Sequence, residues 1–138
     1  MAVTLEDDLA GIEDKLRDEV VIWLTTVSPE GQPQSVPVWF LWRDGAFLIY
    51  SQPDKPKLTN LEANPRVSLH FRGTRTGEDI ATLEGEARRA GEHPSADQVG
   101  PYVEKYAKEI ENLEWTPGSF GADYSVPVVV RPTRVLTW

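Results

Sequence analysis

Behind Thr4, the apolar residues Leu5, Leu9, Ile12 and Leu16 recur at spacings of three and four. That stripe predicts one amphipathic helix, capped by Thr4 and running to about Arg17. From Val20 to Val27 the chain is continuously apolar and β-branched until Ser28-Pro29-Glu30-Gly31, which reads as a buried strand entering a tight turn. Pro33 to Trp42 is a second predicted strand. Pro37 cannot donate to a ladder, so this strand needs an edge, a bulge or a free side near its middle. Arg43-Asp44-Gly45 is a hairpin signal that returns the chain as a strand over Ala46 to Ser51.

The texture then changes. Gln52 to Lys57 is a polar loop, and Pro56 through Ala63 suits a short helix stopped by Asn64-Pro65. Val67 to Phe71 alternates as a strand, followed by a polar loop with a mobile look at Gly73-Thr74-Arg75-Thr76-Gly77. Ile80 to Ala90 has strand character, with Gly85 marking a bulge or a close backbone approach. Val103, Tyr106, Ile110 and Leu113 give a second amphipathic helix from Pro101 to about Leu113. The segment from Tyr124 to Trp138 reads as a last strand. About six strands joined mostly by hairpins, with helices early, midway and late, describe a mainly β, α+β fold: a small antiparallel barrel with accessory helices. A chain of 138 residues has room for one core, so residues 1–138 are expected to form a single domain.

Composition narrows the classes. Hydrophobic residues at 40% and charged residues at 26% are ordinary for a globular chain and exclude a fibrous or wholly disordered one. No apolar run reaches the length of a bilayer span. The start, Met1-Ala2-Val3-Thr4-Leu5-Glu6-Asp7-Asp8, is acidic where an export signal needs positive charge, and the absence of cysteine removes disulfides and thiol chemistry. A cytoplasmic protein is expected. Tryptophans at Trp39, Trp42, Trp115 and Trp138 fall near predicted element ends, which suits a homodimer whose aromatic side chains complete a shared site. A net charge of -8 repels nucleic acid and anionic membrane. Lys55, Lys57, Arg66, Arg72 and Arg75 nevertheless cluster between Lys55 and Gly77 against the single acid Glu62. They either serve an anion or balance neighbouring carboxylates on a solvated surface.

No catalytic set stands out. His70 and His93 lie far apart with no paired metal-ligand spacing, and no metal site is expected. The chain has no Gly-x-Ser-x-Gly elbow, no P-loop and no Gly-x-Gly-x-x-Gly turn, so an enzyme of this sequence needs a bound cofactor for its chemistry. The stretch able to hold one is Tyr50-Ser51-Gln52 followed by Lys55 and Lys57. Its hydroxyl, amide and ammonium groups at a helix start make a phosphate cradle, and the same spacing also occurs in solvated turns. Tyr50, Tyr106 and Tyr124 are candidate proton donors, although tyrosines in such places more often pack, and solvent can supply the proton.

Val20 to Val27, Ser28-Pro29-Glu30-Gly31-Gln32-Pro33, Val36-Pro37-Val38-Trp39-Phe40, Tyr50-Ser51 with Lys55 and Lys57, Asn60-Leu61 and Asn64-Pro65-Arg66-Val67 come in an order that resembles the pyridoxamine 5'-phosphate oxidase-like split β-barrel superfamily. Within it the chain is most similar to the actinobacterial branch of coenzyme F420 (deazaflavin)-dependent oxidoreductases. The likeness runs from about Asp18 to Val67 and resumes from Trp115-Thr116-Pro117 to Trp138.

The resemblance implies an FMN-binding-split-barrel-like homodimer with two interfacial cofactor sites. Ser35, Val36, Pro37 and Val38 would lie against the planar ring. Ile49, Tyr50, Ser51 and Gln52, with Lys55, Lys57 and Asn60, would hold the phosphate and ribityl part. Trp115, Tyr106 and Arg72 would close the site from the partner. The implied activity is hydride transfer between reduced F420 and an unsaturated or quinone-like small molecule. The alternatives are an FMN- or haem-binding split barrel, or an F420-binding or storage protein without turnover. Gln34-Ser35-Val36-Pro37-Val38-Trp39 lacks the two positive charges with which FMN-using relatives support the phosphate, which favours the deazaflavin over FMN.

Overall fold

The computed structural model describes residues 4–137; Met1, Ala2, Val3 and Trp138, on which part of the acidic start and of the terminal strand were read, lie outside the described residues. Thr4 caps the first helix, its hydroxyl accepting from the Asp7 amide at 3.1 Å. The expected single helix is two, α1 (Leu5–Ala10) and α2 (Glu13–Asp18). Gly11 is a weak helix former and Ile12 leaves the helical region at φ -119°, so the axis breaks between them. Ile12 and Leu16 still reach the core.

The strands are β1 (Val21–Val27), β2 (Pro33–Trp39), β3 (Leu41–Arg43), β4 (Ala46–Ser51), β5 (Arg66–His70), β6 (Ala81–Arg89) and β7 (Val126–Thr137). They pair antiparallel throughout, in the order β2-β1-β5-β6-β7-β4-β3. The outermost strands β2 and β3 are separated in sequence only by Phe40, so the two sheet edges must meet and the sheet curls into a split half-barrel. This divides the expected strand from Pro33 to Trp42. The apolar run conceals the break, because Phe40 is itself fully buried. Pro37 stands opposite Trp23 on edge strand β2, where a missing amide is tolerated.

Asp44 and Gly45, both at positive φ, make the β3–β4 hairpin as its sequence predicts. All of β4 is buried, because its two faces serve different cores. Phe47 and Ile49 point into the barrel with Ile22, Leu24, Leu69 and Val130, whereas Leu48 and Tyr50 pack outward beneath helices. Gly85 is both a bulge and a close approach. The β6–β7 register shifts there, and a Cβ on Gly85 would sit 2.8 Å from the Arg131 carbonyl oxygen.

α3 (Pro56–Ala63) adds Leu58 and Leu61 to the barrel core, whereas α4 (Gly100–Asn112) and α5 (Pro117–Asp123), with a 3-10 turn at Ala96–Gln98, cover the outer one. Tyr102, Tyr106 and Ile110 form the buried stripe of α4; Leu113, expected to extend it, lies past the helix end and is 59% exposed. Neither α5 nor the short turn is among the predicted elements. α4 also pins the barrel seam. The Tyr106 hydroxyl accepts from the Phe40 amide at 2.8 Å, and Lys105 Nζ donates to the Phe40 carbonyl at 2.9 Å while sitting 3.7 Å from the Phe40 ring centre. Among the described residues no helix is long and apolar enough to cross a membrane.

Candidate functional site

A cleft of about 370 Å³ opens where the end of β2 faces α4 and α5. Edge strand β2 supplies Pro37, Val38 and Trp39, and the end of β4 supplies Tyr50 with the following Gln52. Lys57 enters from the first turn of α3, while Tyr102 and Ile110 come from α4. The far wall is Trp115, Phe120 and Tyr124, placed by α5. That helix forms because Thr116 and Ser119 make a reciprocal capping box with Pro117 in the first turn.

The wall is aromatic and continuous. Trp39 stacks on Phe120 with centroids 5.4 Å apart, Phe120 stacks on Tyr124 at 4.5 Å, and Trp115 meets both edge-on. Such a lining suits a largely apolar, aromatic ligand. Gln52 donates from Nε2 to Asp123 Oδ2, tying the end of β4 to α5 across the cleft floor. The Tyr50 hydroxyl donates to the Pro94 carbonyl at 2.7 Å, and burial raises its pKa.

Beside the cleft runs a second groove of about 330 Å³, lined by Thr26, Gln34, Val36, Lys55, Pro56 and Lys57. Lys57 borders both hollows. Burial, and then the neighbouring Lys55 charge, lowers the pKa of its ammonium. An anion in the groove would relieve that repulsion. Beneath the groove, buried Asn60 donates from Nδ2 to Thr26 Oγ1 at 3.0 Å and to Gln34 Oε1 at 2.8 Å, which fixes the groove floor.

The residues singled out in the sequence therefore divide. Pro37, Val38, Tyr50, Gln52, Lys57 and Trp115 meet at the cleft, and Val36, Lys55 and Lys57 meet at the groove. Ser35 is exposed on β2 with its hydroxyl 2.6 Å from Thr25 Oγ1. Ile49 faces the barrel core, Ser51 is buried with its hydroxyl donating to the Gln52 carbonyl, and Asn60 supports the groove from below. Arg72 lies outside both hollows and pairs with Glu19 at 3.6 Å.

Tyr106 differs from its expected role. It is fully buried within its own chain, with its hydroxyl held between Phe40 and the Val20 carbonyl, so it cannot reach across to close a partner's site. The basic segment is also dispersed, since Arg66 lines a separate hollow with Glu84 and Glu86. The Gly73 to Gly77 loop lines neither hollow and is closed by the Thr74 amide on the Glu78 carbonyl at 2.8 Å.

Sequence reasoning passed over Tyr102 and Phe120. The first was masked by an ordinary helical stripe; the second was signalled by the Thr116-Pro117-Gly118-Ser119 helix start. His70 stacks on Trp23, and neither it nor His93 lines the cleft. Among the described residues no group of three or more His, Cys, Asp or Glu could hold a metal ion.

The sequence profile described as Pyridoxamine 5'-phosphate oxidase matches residues 10–138. The chain belongs to this family. Solved structures of the pyridoxamine 5'-phosphate oxidase fold include an F420 reductase, 25% identical, covering 90% of this chain and 94% of that one with a TM-score of 0.65. A FAD-binding protein from Mesorhizobium loti is 21% identical over 91% of this chain and 88% of its own, with a TM-score of 0.61. The haem storage protein HutZ from Vibrio cholerae is 16% identical over 98% and 95%, with a TM-score of 0.60. These last two likenesses show the shared fold. No curated protein matches the sequence. Proteins of this fold thus include a reductase, a FAD-binding protein and a haem storage protein.

Proposed function

We propose that the protein is an F420-dependent oxidoreductase of the actinobacterial branch of this family, cytoplasmic and working as a homodimer. The observation that carries the proposal is the position of Lys57, which borders both an aromatic cleft and a groove with a second cation, Lys55. That arrangement fits a molecule with a planar ring at one end and a phosphate at the other. An F420 reductase among the structural neighbours supports the same reading.

A reduced deazaflavin held there supplies a hydride to an unsaturated or quinone-like small molecule. The chain's own contribution is placement. Trp39, Trp115, Phe120 and Tyr124 give an apolar aromatic wall that would keep water from the ring. Pro37 and Val38 offer the edge of β2 to the ring, while Lys55 and Lys57 meet the phosphate. Ser35 and Val36 from β2, and Arg72 across the dimer, complete the proposed contacts, with Trp115 acting from the chain's own wall rather than from the partner. The acceptor's proton comes from solvent at the cleft mouth.

The test is a fluorescence titration of the purified protein with F420 and, separately, with FMN. Saturable F420 binding with weak FMN binding, followed by turnover of a quinone acceptor, supports the reading. Preferential FMN binding moves the protein to the flavin branch. Binding of F420 without turnover of any acceptor makes it a storage protein.

A further inference from the structure

Three tyrosines form one cluster beneath the cleft. The Tyr102 ring meets Tyr50 edge-on at 5.0 Å, lies 5.0 Å from Tyr106, and is 6.1 Å from Phe120. Two of the three hydroxyls have partners: Tyr50 donates to the Pro94 carbonyl, and Tyr106 is shared between Phe40 and Val20. The hydroxyl of Tyr102 has none. Among the described residues it is the only buried side-chain nitrogen or oxygen without a hydrogen-bond partner, and Tyr102 is 1% exposed while lining the cleft. A phenylalanine would make the same ring contacts without burying an unpaired donor, so packing does not account for the oxygen.

We infer that the Tyr102 hydroxyl is a specificity-determining donor, giving its hydrogen bond to a carbonyl oxygen of the planar molecule that the cleft takes. The inference rests on the cofactor reading above and deepens it. Burial pushes the Tyr102 pKa far above the ordinary tyrosine range, so the group keeps its proton at every working pH and acts as a donor, never as a base. A ligand carrying only apolar edge at that point leaves the donor unpaired and is rejected, whereas a carbonyl satisfies it. Both the deazaflavin ring and a quinone-like acceptor carry carbonyl oxygens, so two sources share this chemistry.

Tyr102→Phe separates them. Three readings are taken on the wild type and on the variant: the melting temperature without ligand, the Kd for F420 and FMN by fluorescence, and the KM of the loaded protein for 2-methyl-1,4-naphthoquinone. The expected result is a melting temperature equal to or above that of the wild type, together with a loss of about tenfold in one binding constant. A weaker Kd assigns the carbonyl to the cofactor ring; an unchanged Kd with a raised KM assigns it to the acceptor. If Kd and KM both hold, the donor role is overturned while the cofactor reading stands. If the wild type binds neither cofactor, the cofactor reading fails and the inference falls with it.

Discussion

Tyr106→Phe tests the seam of the barrel directly. The substitution keeps the ring that stacks on Trp39 at 4.6 Å and removes only the oxygen. That oxygen accepts from the Phe40 amide at 2.8 Å and lies 2.6 Å from the Val20 carbonyl, to which it donates. The Phe40 carbonyl keeps its bond from Lys105 in the variant, so it loses little. The Phe40 amide is left buried without a partner, which costs about 1–3 kcal/mol, and the lost bond to Val20 adds about 0.5–1.5 kcal/mol. The expected loss is therefore about 2–4 kcal/mol, or about 8–16 °C in melting temperature at about 4 °C per kcal/mol. Urea and thermal unfolding measure it, with an unchanged urea slope showing that only stability has moved. Tyr102→Phe, one helical turn away, is the control and should lose nothing. A Tyr106→Phe loss below about 1 kcal/mol would refute the assignment of the seam to this hydroxyl.

Three further outcomes are expected. Lys57→Ala should weaken cofactor binding about tenfold or more by removing a charged partner, with a melting temperature within about 2 °C of wild type; unchanged affinity would remove Lys57 from the site. Gly85→Ala should cost about 1–3 kcal/mol by forcing β6 and β7 apart at their bulge, and a variant as stable as wild type would show that the backbone gives way there freely. Burial lowers the Lys105 pKa to about 8 in the fold, so between about pH 8 and 10 the unfolded chain binds more protons and stability rises with pH. Above about pH 10 the sign reverses, because tyrosines ionise in the unfolded chain while Tyr102 and Tyr106 stay protonated in the fold. A series of melting curves against pH should show the rise, and Lys105→Met should reduce it.

Local signals in the sequence marked most of the elements, and long-range pairing set the rest. Asp44-Gly45 names its hairpin because the turn demands positive φ at both positions. Nothing local says that β4 will pair with β7, or that the chain leaves one sheet edge and joins the other at Phe40, since a strand carries the same apolar pattern whichever neighbour it finds. Gly11 did signal the helix break, but four apolar residues in register concealed it. At the site, Pro37, Tyr50, Gln52 and Lys57 were legible because a mid-strand proline and a cation at a helix start are unusual. Tyr102 was not, because its distinction is an unpaired hydroxyl, and that is a property of neighbours supplied by β4, α4 and α5.

The single residue between β2 and β3 also governs how the protein can be made. As the chain leaves the ribosome, the β1–β2 and β3–β4 hairpins emerge first and hang from Phe40, each able to form but neither able to find its lasting neighbour. The strand that β4 needs, β7, is the last to emerge, some 4–15 s later at about 5–20 residues per second. Through that interval Phe47 has Phe40 and Trp42 beside it, but Leu48, Ile49 and Tyr50 lack the β7 side of their cores and stay open to other contacts until that strand arrives.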